Sequence, residues 1–220
     1  MTTQTDHAYT LLRIDASAQA NDASQSKKLA DRFQQAWLKQ HPEGQVIHHN
    51  LADMSLKHIN SDFIGAMYTP EAQRNDAQKQ ILAESDQWVA ELKNADALVI
   101  STPMYNFSIP SYLKSYLDTV TRVGETFRYG ENGPEGLLNI PKVAVIMTSG
   151  GDYTQPPLDA MNFVTPYLQT VLSFNGLDNA IMIEAPGMNM GGEKQLQGLK
   201  HAEEQIDQLF NEPLNSRQSA

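Results

Sequence analysis

Met104, Tyr105, Asn106 and Phe107 stand in succession in one short segment. Together they offer apolar and aromatic surface for a flat ring, plus one amide able both to donate and to accept. That combination suits a flavin seat. A second segment places Ser17, Asn21, Ser24 and Ser26 just before a helical pattern, with no basic residue between Ile14 and Ser26. Hydroxyls and unpaired backbone N–H groups at a helix N-terminus, aided by the dipole, suit a phosphate monoester without help from Lys or Arg. Ser and Asn are also favoured at a helix N-cap for local reasons, and Asp22 opposes an anion unless it points away, so this segment alone says less than the first. A third, Thr148-Ser-Gly-Gly151, lets backbone approach a ring edge and presents N–H groups to a carbonyl or a developing anion. Reduced flavin carries negative charge near N1 and C2=O, which such donors stabilise. The three segments together predict an FMN site.

The elements around these segments predict how they meet. Ala97 to Ser101 is an almost uninterrupted apolar run suited to a strand buried on both faces, and Pro103 ends it. Pro110 and Ser111 then open a helical pattern through Tyr112, Leu113, Tyr116, Leu117 and Val120. Tyr9 to Ile14 reads as the first strand, Ser24 to Gln40 as a helix with Leu29, Phe33, Ala36 and Trp37 on its apolar stripe, and Val46-Ile47 as a short second strand. Leu51 to Thr69 reads as irregular. Pro70 and Glu71 suit the first turn of a long amphipathic helix carrying Ile81, Leu82, Ser85, Val89 and Leu92. Thr126 to Leu138, centred on Asn132-Gly133-Pro134, predicts a hairpin-like insertion. Lys142 to Thr148 is the fourth strand, Thr165 to Phe174 a helix, Asn179 to Glu184 the fifth strand and Glu193 to Phe210 the last helix.

Alternating strands and helices imply a parallel sheet covered on both faces, by the right-handed crossover rule. The predicted class is α/β: a flavodoxin-like three-layer sandwich with a five-stranded parallel sheet of order 2-1-3-4-5 and the hairpin after the third βα unit. That order puts the loops after the first and third strands on either side of the switch point, where ligands bind in open α/β sheets. Residues 1–220 are expected to form one FMN-binding domain, frayed at 1–7 and 213–220.

Composition narrows the class. With no cysteine among 220 residues, disulfides, thiolate metal sites and thiol nucleophiles are excluded, and redox chemistry needs a bound cofactor. A formal charge of −10 with scattered basic residues argues against nucleic acid. No apolar run spans a bilayer and the first residues lack the regions of a signal peptide, so the expectation is a cytoplasmic protein without membrane contact. His48, His49 and His58 fit no metal-ligand spacing, and no metal site is expected.

Pro103-Met-Tyr-Asn-Phe107, Thr126-Phe-Arg-Tyr129 with Glu131-Asn-Gly-Pro-Glu-Gly-Leu137, and Val164-Thr-Pro-Tyr-Leu168 resemble, in this order, the FMN-dependent NADH-azoreductases, also described as NADH:quinone oxidoreductases. The likeness runs over most of the chain. It implies that Ser17, Ser24, Gln25 and Ser26 hold the FMN phosphate and ribityl chain. Pro103, Met104, Tyr105, Asn106 and Phe107 would hold the ring, and Thr148, Ser149, Gly150 and Gly151 would border its polar edge. It implies a homodimer with the active site at the interface, Phe127, Tyr129 and Phe174 walling the substrate pocket, some from the partner chain. Tyr153, where other members vary, alters that wall. It further implies a ping-pong cycle: NADH gives hydride to flavin N5, then a quinone, or an azo compound in two rounds, takes the electrons. No side chain is assigned as catalytic. Many relatives carry Arg where this chain has Ser149, so the resemblance leaves the flavin potential and acceptor preference open. The alternative is a flavodoxin-like electron carrier without direct NADH oxidation, which the hairpin and the chain length disfavour.

Overall fold

The computed structural model describes residues 8–211, and the ends expected to fray, 1–7 and 213–220, lie outside the described residues. Strand β1 (Thr10–Asp15) is followed by helix α1 (Gln25–Gln40) and strand β2 (Gln45–Asn50). After a 3-10 turn at Leu51–Asp53 come α2 (Ser61–Tyr68), α3 (Asp76–Asn94), β3 (Ala97–Pro103) and α4 (Ser111–Val120). Strands β4 (Phe127–Gly130) and β5 (Gly133–Gly136) form an antiparallel hairpin, and β6 (Lys142–Thr148), α5 (Thr165–Phe174), β7 (Ile181–Ala185) and α6 (Gly192–Asn211) complete the chain.

The main sheet runs β2-β1-β3-β6-β7 with every pair parallel. Once the hairpin is set aside, this is the predicted order 2-1-3-4-5. Strand residues alternate between the two faces. Leu12, Ile14, Leu98, Ile100, Val143 and Val145 join the cluster with Trp88 and Val89 of α3, Leu113 and Tyr116 of α4 and Leu168 of α5. Leu11, Val99, Ala144, Ile146 and Ile183 join the other, with Phe33 and Trp37 of α1 and Ile206 of α6. Both faces are therefore dry, which is why the strands read as continuous apolar runs rather than alternating ones. Among the described residues, no helix is long and apolar enough to cross a membrane.

Four local expectations are corrected. The segment Leu51 to Thr69 is not irregular throughout. Asn60 caps α2 by accepting the Phe63 N–H at 2.9 Å, and Phe63 and Ala66 bury against Leu82. The long helix does not start at Pro70. Pro70 has extended backbone and leads only a 3-10 turn, whereas Asn75 and Gln78 form a reciprocal capping box that starts α3. On that helix Ile81 is exposed, and Trp88 fills the stripe instead. The first and last strands in the chain also shift by a residue or two, β1 to Thr10–Asp15 and β7 to Ile181–Ala185.

Candidate functional site

The loop after β1 leads directly into the α1 N-terminus. Ser24 is its N-cap, its Oγ accepting the Lys27 N–H at 3.4 Å and lying 3.2 Å from the Ser26 Oγ. Ser17 accepts the Gln19 N–H at 3.2 Å. Ser17, Ser24 and Ser26 are all buried, Asp22 is exposed, and Gln25 occupies the first helical position. The first amides of a helix have no intrahelical acceptor, so this end can take an oxyanion.

The loop after β3 is a two-residue reverse turn. Tyr105 and Ser108 exchange backbone hydrogen bonds of 2.9 and 3.0 Å, enclosing Asn106 at φ 49° and Phe107 at φ 69°. Two consecutive positive φ values are the requirement of a type I′ turn, which normally takes Asn and Gly. Asn fits its place. Phe at a positive φ costs about 1–3 kcal/mol, a strain found where function fixes the backbone. The Phe107 carbonyl accepts the Phe163 N–H at 3.0 Å, and its ring meets Tyr153 edge-on at 6.0 Å. The turn is thereby held from both sides with half-exposed aromatic surface.

The loop after β6 is tied from behind. The carbonyls of Ser149, Gly150 and Gly151 accept the N–H groups of Met188, Asn189 and Gly187 at 2.9, 2.9 and 3.1 Å. The Ser149 hydroxyl also turns back, donating to the Gly151 carbonyl at 2.9 Å. Among the described residues, the amides of Gly150 and Gly151 donate to no carbonyl. A Cβ on Gly150 would lie 2.7 Å from Asn189 Nδ2, and one on Gly151 3.2 Å from Tyr153 Cε2, so a larger residue at either place would displace those side chains.

Two contacts join the three loops. The Ala18 N–H donates to the Tyr105 hydroxyl at 3.3 Å, and the Met104 N–H donates to the Thr148 carbonyl at 2.8 Å. Residues about 90 positions apart therefore form one crevice at the carboxyl edge of the sheet, at the switch point between β1 and β3. Hydroxyls and helix amides lie at one end, an aromatic turn in the middle and two free amides at the other. This donor set fits a phosphorylated ribityl chain ending in a flat ring with a polar edge.

Beneath the crevice lies a buried ionic network. Asp15, wholly enclosed at the end of β1, accepts from Arg13, from the Ser101 hydroxyl at 2.7 Å and pairs with His48 at 2.8 Å. Burial pushes its carboxyl up, but the hydrogen bonds and charge around it outweigh burial and hold it below the ordinary carboxylate range. The other histidines set aside as metal ligands are likewise paired, His49 with Glu91 and His58 with Ser115. No group of three or more metal-ligating side chains occurs among the described residues.

The four residues expected to wall one pocket do not meet within one chain. Tyr153 stands beside Phe107 at the crevice. Phe127, Tyr129 and Phe174 form their own cluster, with Phe127 4.5 Å from Phe174 and 5.6 Å from Tyr129. That cluster sits where α4 and α5 end. The hairpin is fastened there by the Leu138 N–H on the Asn175 carbonyl, and the preceding turn by Lys93–Glu125. A ten-residue helix spans about 15 Å, so the cluster is at the opposite edge of the sheet. Two residues beside the crevice had no place in the sequence reading. Phe163, 58% exposed, adjoins the strained turn and carried no local signal. Lys27 directly follows Ser26 and reaches back beneath the first loop, its Nζ donating to the Gln19 carbonyl at 3.0 Å. The segment from Ile14 to Ser26 holds no basic residue, as expected, but Lys27 stands directly beside it.

The pattern defining the flavodoxin-like fold matches residues 10–210. An FMN-dependent NADH:quinone oxidoreductase of Hydrogenovibrio crunogenus is 54% identical over 179 residues, covering 81% of this chain and 88% of that one. One from Azotobacter vinelandii is 40% identical over 199 residues, covering 90% and 98%. Among solved structures, an FMN-dependent NADH-azoreductase of Bacillus anthracis in complex with FMN superposes with a TM-score of 0.81 at 26% identity, covering 92% of this chain and all of that one. With its sheet order, its three converging loops and these relatives, the chain belongs to the FMN-dependent NADH:quinone oxidoreductase family of flavodoxin-like proteins.

Proposed function

We propose that this single-domain protein binds FMN in the crevice and uses it to oxidise NADH and reduce quinones and aromatic azo compounds. The observation that carries this reading is the joining of the three loops through Tyr105 on Ala18 and Met104 on Thr148. Ser17, Ser24, Gln25 and Ser26 receive the phosphate and ribityl chain, Pro103 to Phe107 seat the ring, and Thr148 to Gly151 line its polar edge. When bound, FMN supplies two-electron hydride chemistry at N5. The chain's contribution is position and electrostatics: the strained turn presents one ring face, and the free amides of Gly150 and Gly151 oppose negative charge at the pyrimidine edge. Relatives named for NADH, quinone and FMN support the reading.

The substrate pocket is completed by a second copy. One chain supplies Phe107, Tyr153 and Phe163, while Phe127, Tyr129 and Phe174 lie at its far edge. Tyr129 is 71% exposed on the hairpin, a position from which it can reach a neighbouring molecule. Steady-state rates at varied NADH and menadione concentrations test the reading, alongside sedimentation of the FMN-loaded protein. Parallel double-reciprocal lines and a dimer are expected. Absence of NADH oxidation would refute the activity, and a fully active monomer would refute the shared pocket.

A further inference from the structure

We infer that Lys27 is the counter-ion of the cofactor's phosphate. The inference rests on the FMN reading and adds to it a residue that the serine loop does not contain. Lys27 occupies the third helical position of α1, where Cα–Cβ bonds tilt toward the N-terminus, so its stem runs back beneath the loop. The residue is only 2% exposed.

Its ammonium has three donors, and one is used, on the Gln19 carbonyl at 3.0 Å. Among the described residues it has no carboxylate partner. Asp31, one turn further along α1, is taken by Arg13 at 2.6 Å, and Asp15 is taken by Arg13, His48 and Ser101. A buried charge without a partner is costly, and buried charges are paired or neutralised as a rule. The missing partner is an anion at the mouth of α1. The Ser24 and Ser26 hydroxyls, 3.2 Å apart, lie in the same first turn beside the unsatisfied helix amides. Arg13 reinforces the arrangement by donating to the Lys27 carbonyl at 3.2 Å, fixing the backbone from which the side chain departs. A phosphate monoester carries about −1.5 to −2 charges at neutral pH, so one ammonium balances a large part of it. If Lys27 merely strapped the Gln19 carbonyl, a neutral donor would serve without desolvating a charge.

The test is a set of flavin titrations on the full chain with Lys27→Gln, which keeps a donor without the charge, and Lys27→Met, which keeps only the stem. FMN, riboflavin and inorganic phosphate are the probes. Loss of a charge-assisted contact corresponds to about ten- to hundredfold weaker FMN binding in both variants, with riboflavin affinity unchanged; inorganic phosphate should raise the melting temperature of the wild type and of neither variant. Without ligand, Lys27→Met should melt no lower than wild type, because an uncompensated buried charge has been removed. FMN affinity retained in Lys27→Gln, or equal losses for FMN and riboflavin, would overturn the inference and leave Lys27 a structural strap. A wild-type protein that binds no FMN would overturn the cofactor reading itself, and the inference with it.

Discussion

Replacing Gly136 by Ala should loosen the hairpin from the rest of the molecule while leaving the crevice at the switch point intact. A Cβ at that position would lie 2.0 Å from the Gly176 nitrogen, 2.3 Å from its Cα and 2.5 Å from the Asn175 carbonyl carbon. All three are backbone atoms, and Gly176 already sits at φ 97° with the Leu138 carbonyl close by. Restoring an ordinary contact distance of ~3.5 Å requires a relative movement of about 1.5 Å. Neither side can yield by rotating a side chain. Overpacking of this kind costs typically 1–3 kcal/mol, and this contact belongs at the upper end because it also pulls Phe127 from Phe174. At about 2–4 °C per kcal/mol for a chain of this size, the melting temperature should fall by roughly 5–10 °C. The assay is urea and thermal unfolding of Gly136→Ala beside wild type, with the menadione KM measured on the loaded protein. A rise in that KM with FMN still bound is the expected second result, since the hairpin carries the proposed partner wall. Unchanged stability would refute the close approach of the two glycine-bearing segments, and unchanged KM would refute the role of the hairpin.

Three further outcomes follow from other parts of the structure. Asn106→Gly keeps the positive φ at no steric cost but deletes an exposed amide that has no partner among the described residues, so FMN binding should weaken by about 1–3 kcal/mol while the melting temperature of the unliganded protein stays put; an unchanged flavin titration would count against placing that turn on the ring. The Asp15 carboxyl has its folded pKa below the unfolded value, so its stabilisation is present above about pH 4 and disappears as pH falls through the folded value. Asp15→Asn should flatten this acid limb of the urea-unfolding free energy and, by leaving Arg13 buried without its main partner, cost about 3–5 kcal/mol at neutral pH; an acid limb as steep as wild type would contradict the pairing. Gly65→Ala meets nothing within 4 Å on α2 and should stabilise by about 0.5–1 kcal/mol in thermal unfolding, whereas a loss would mean that another chain covers that face.

The sheet order was legible because β3, which ends at Pro103, and β6, which follows Pro141, are short apolar runs, and such runs only make sense with helices on both faces. The meeting of the loops was legible for a similar reason: the switch-point rule brings those after β1 and β3 together whatever their separation in sequence. What escaped reading is local capping and distant geometry. Pro70-Glu71 looks like a helix start, but the reciprocal pairing of Asn75 and Gln78 decides where α3 begins. The eight-residue α2 spans little more than two turns, too short to show a period, though Asn60 was a usable cap signal. Lys27 could have been found from its place one residue after Ser26 at a helix start, where side chains lean back toward the loop. The position of Phe127, Tyr129 and Phe174 had no sequence signal, because only the lengths and directions of α4 and α5 carry them to the far edge of the sheet.

The central claim is that the crevice holds an FMN which NADH reduces directly and from which a quinone or azo compound is then reduced. Anaerobic addition of NADH to the FMN-loaded protein, followed by the visible flavin band, tests it most directly. The band should bleach rapidly and return when menadione or an azo dye is added in separate samples. Bound FMN that NADH leaves coloured would contradict the claim and make the protein an electron carrier of the same fold.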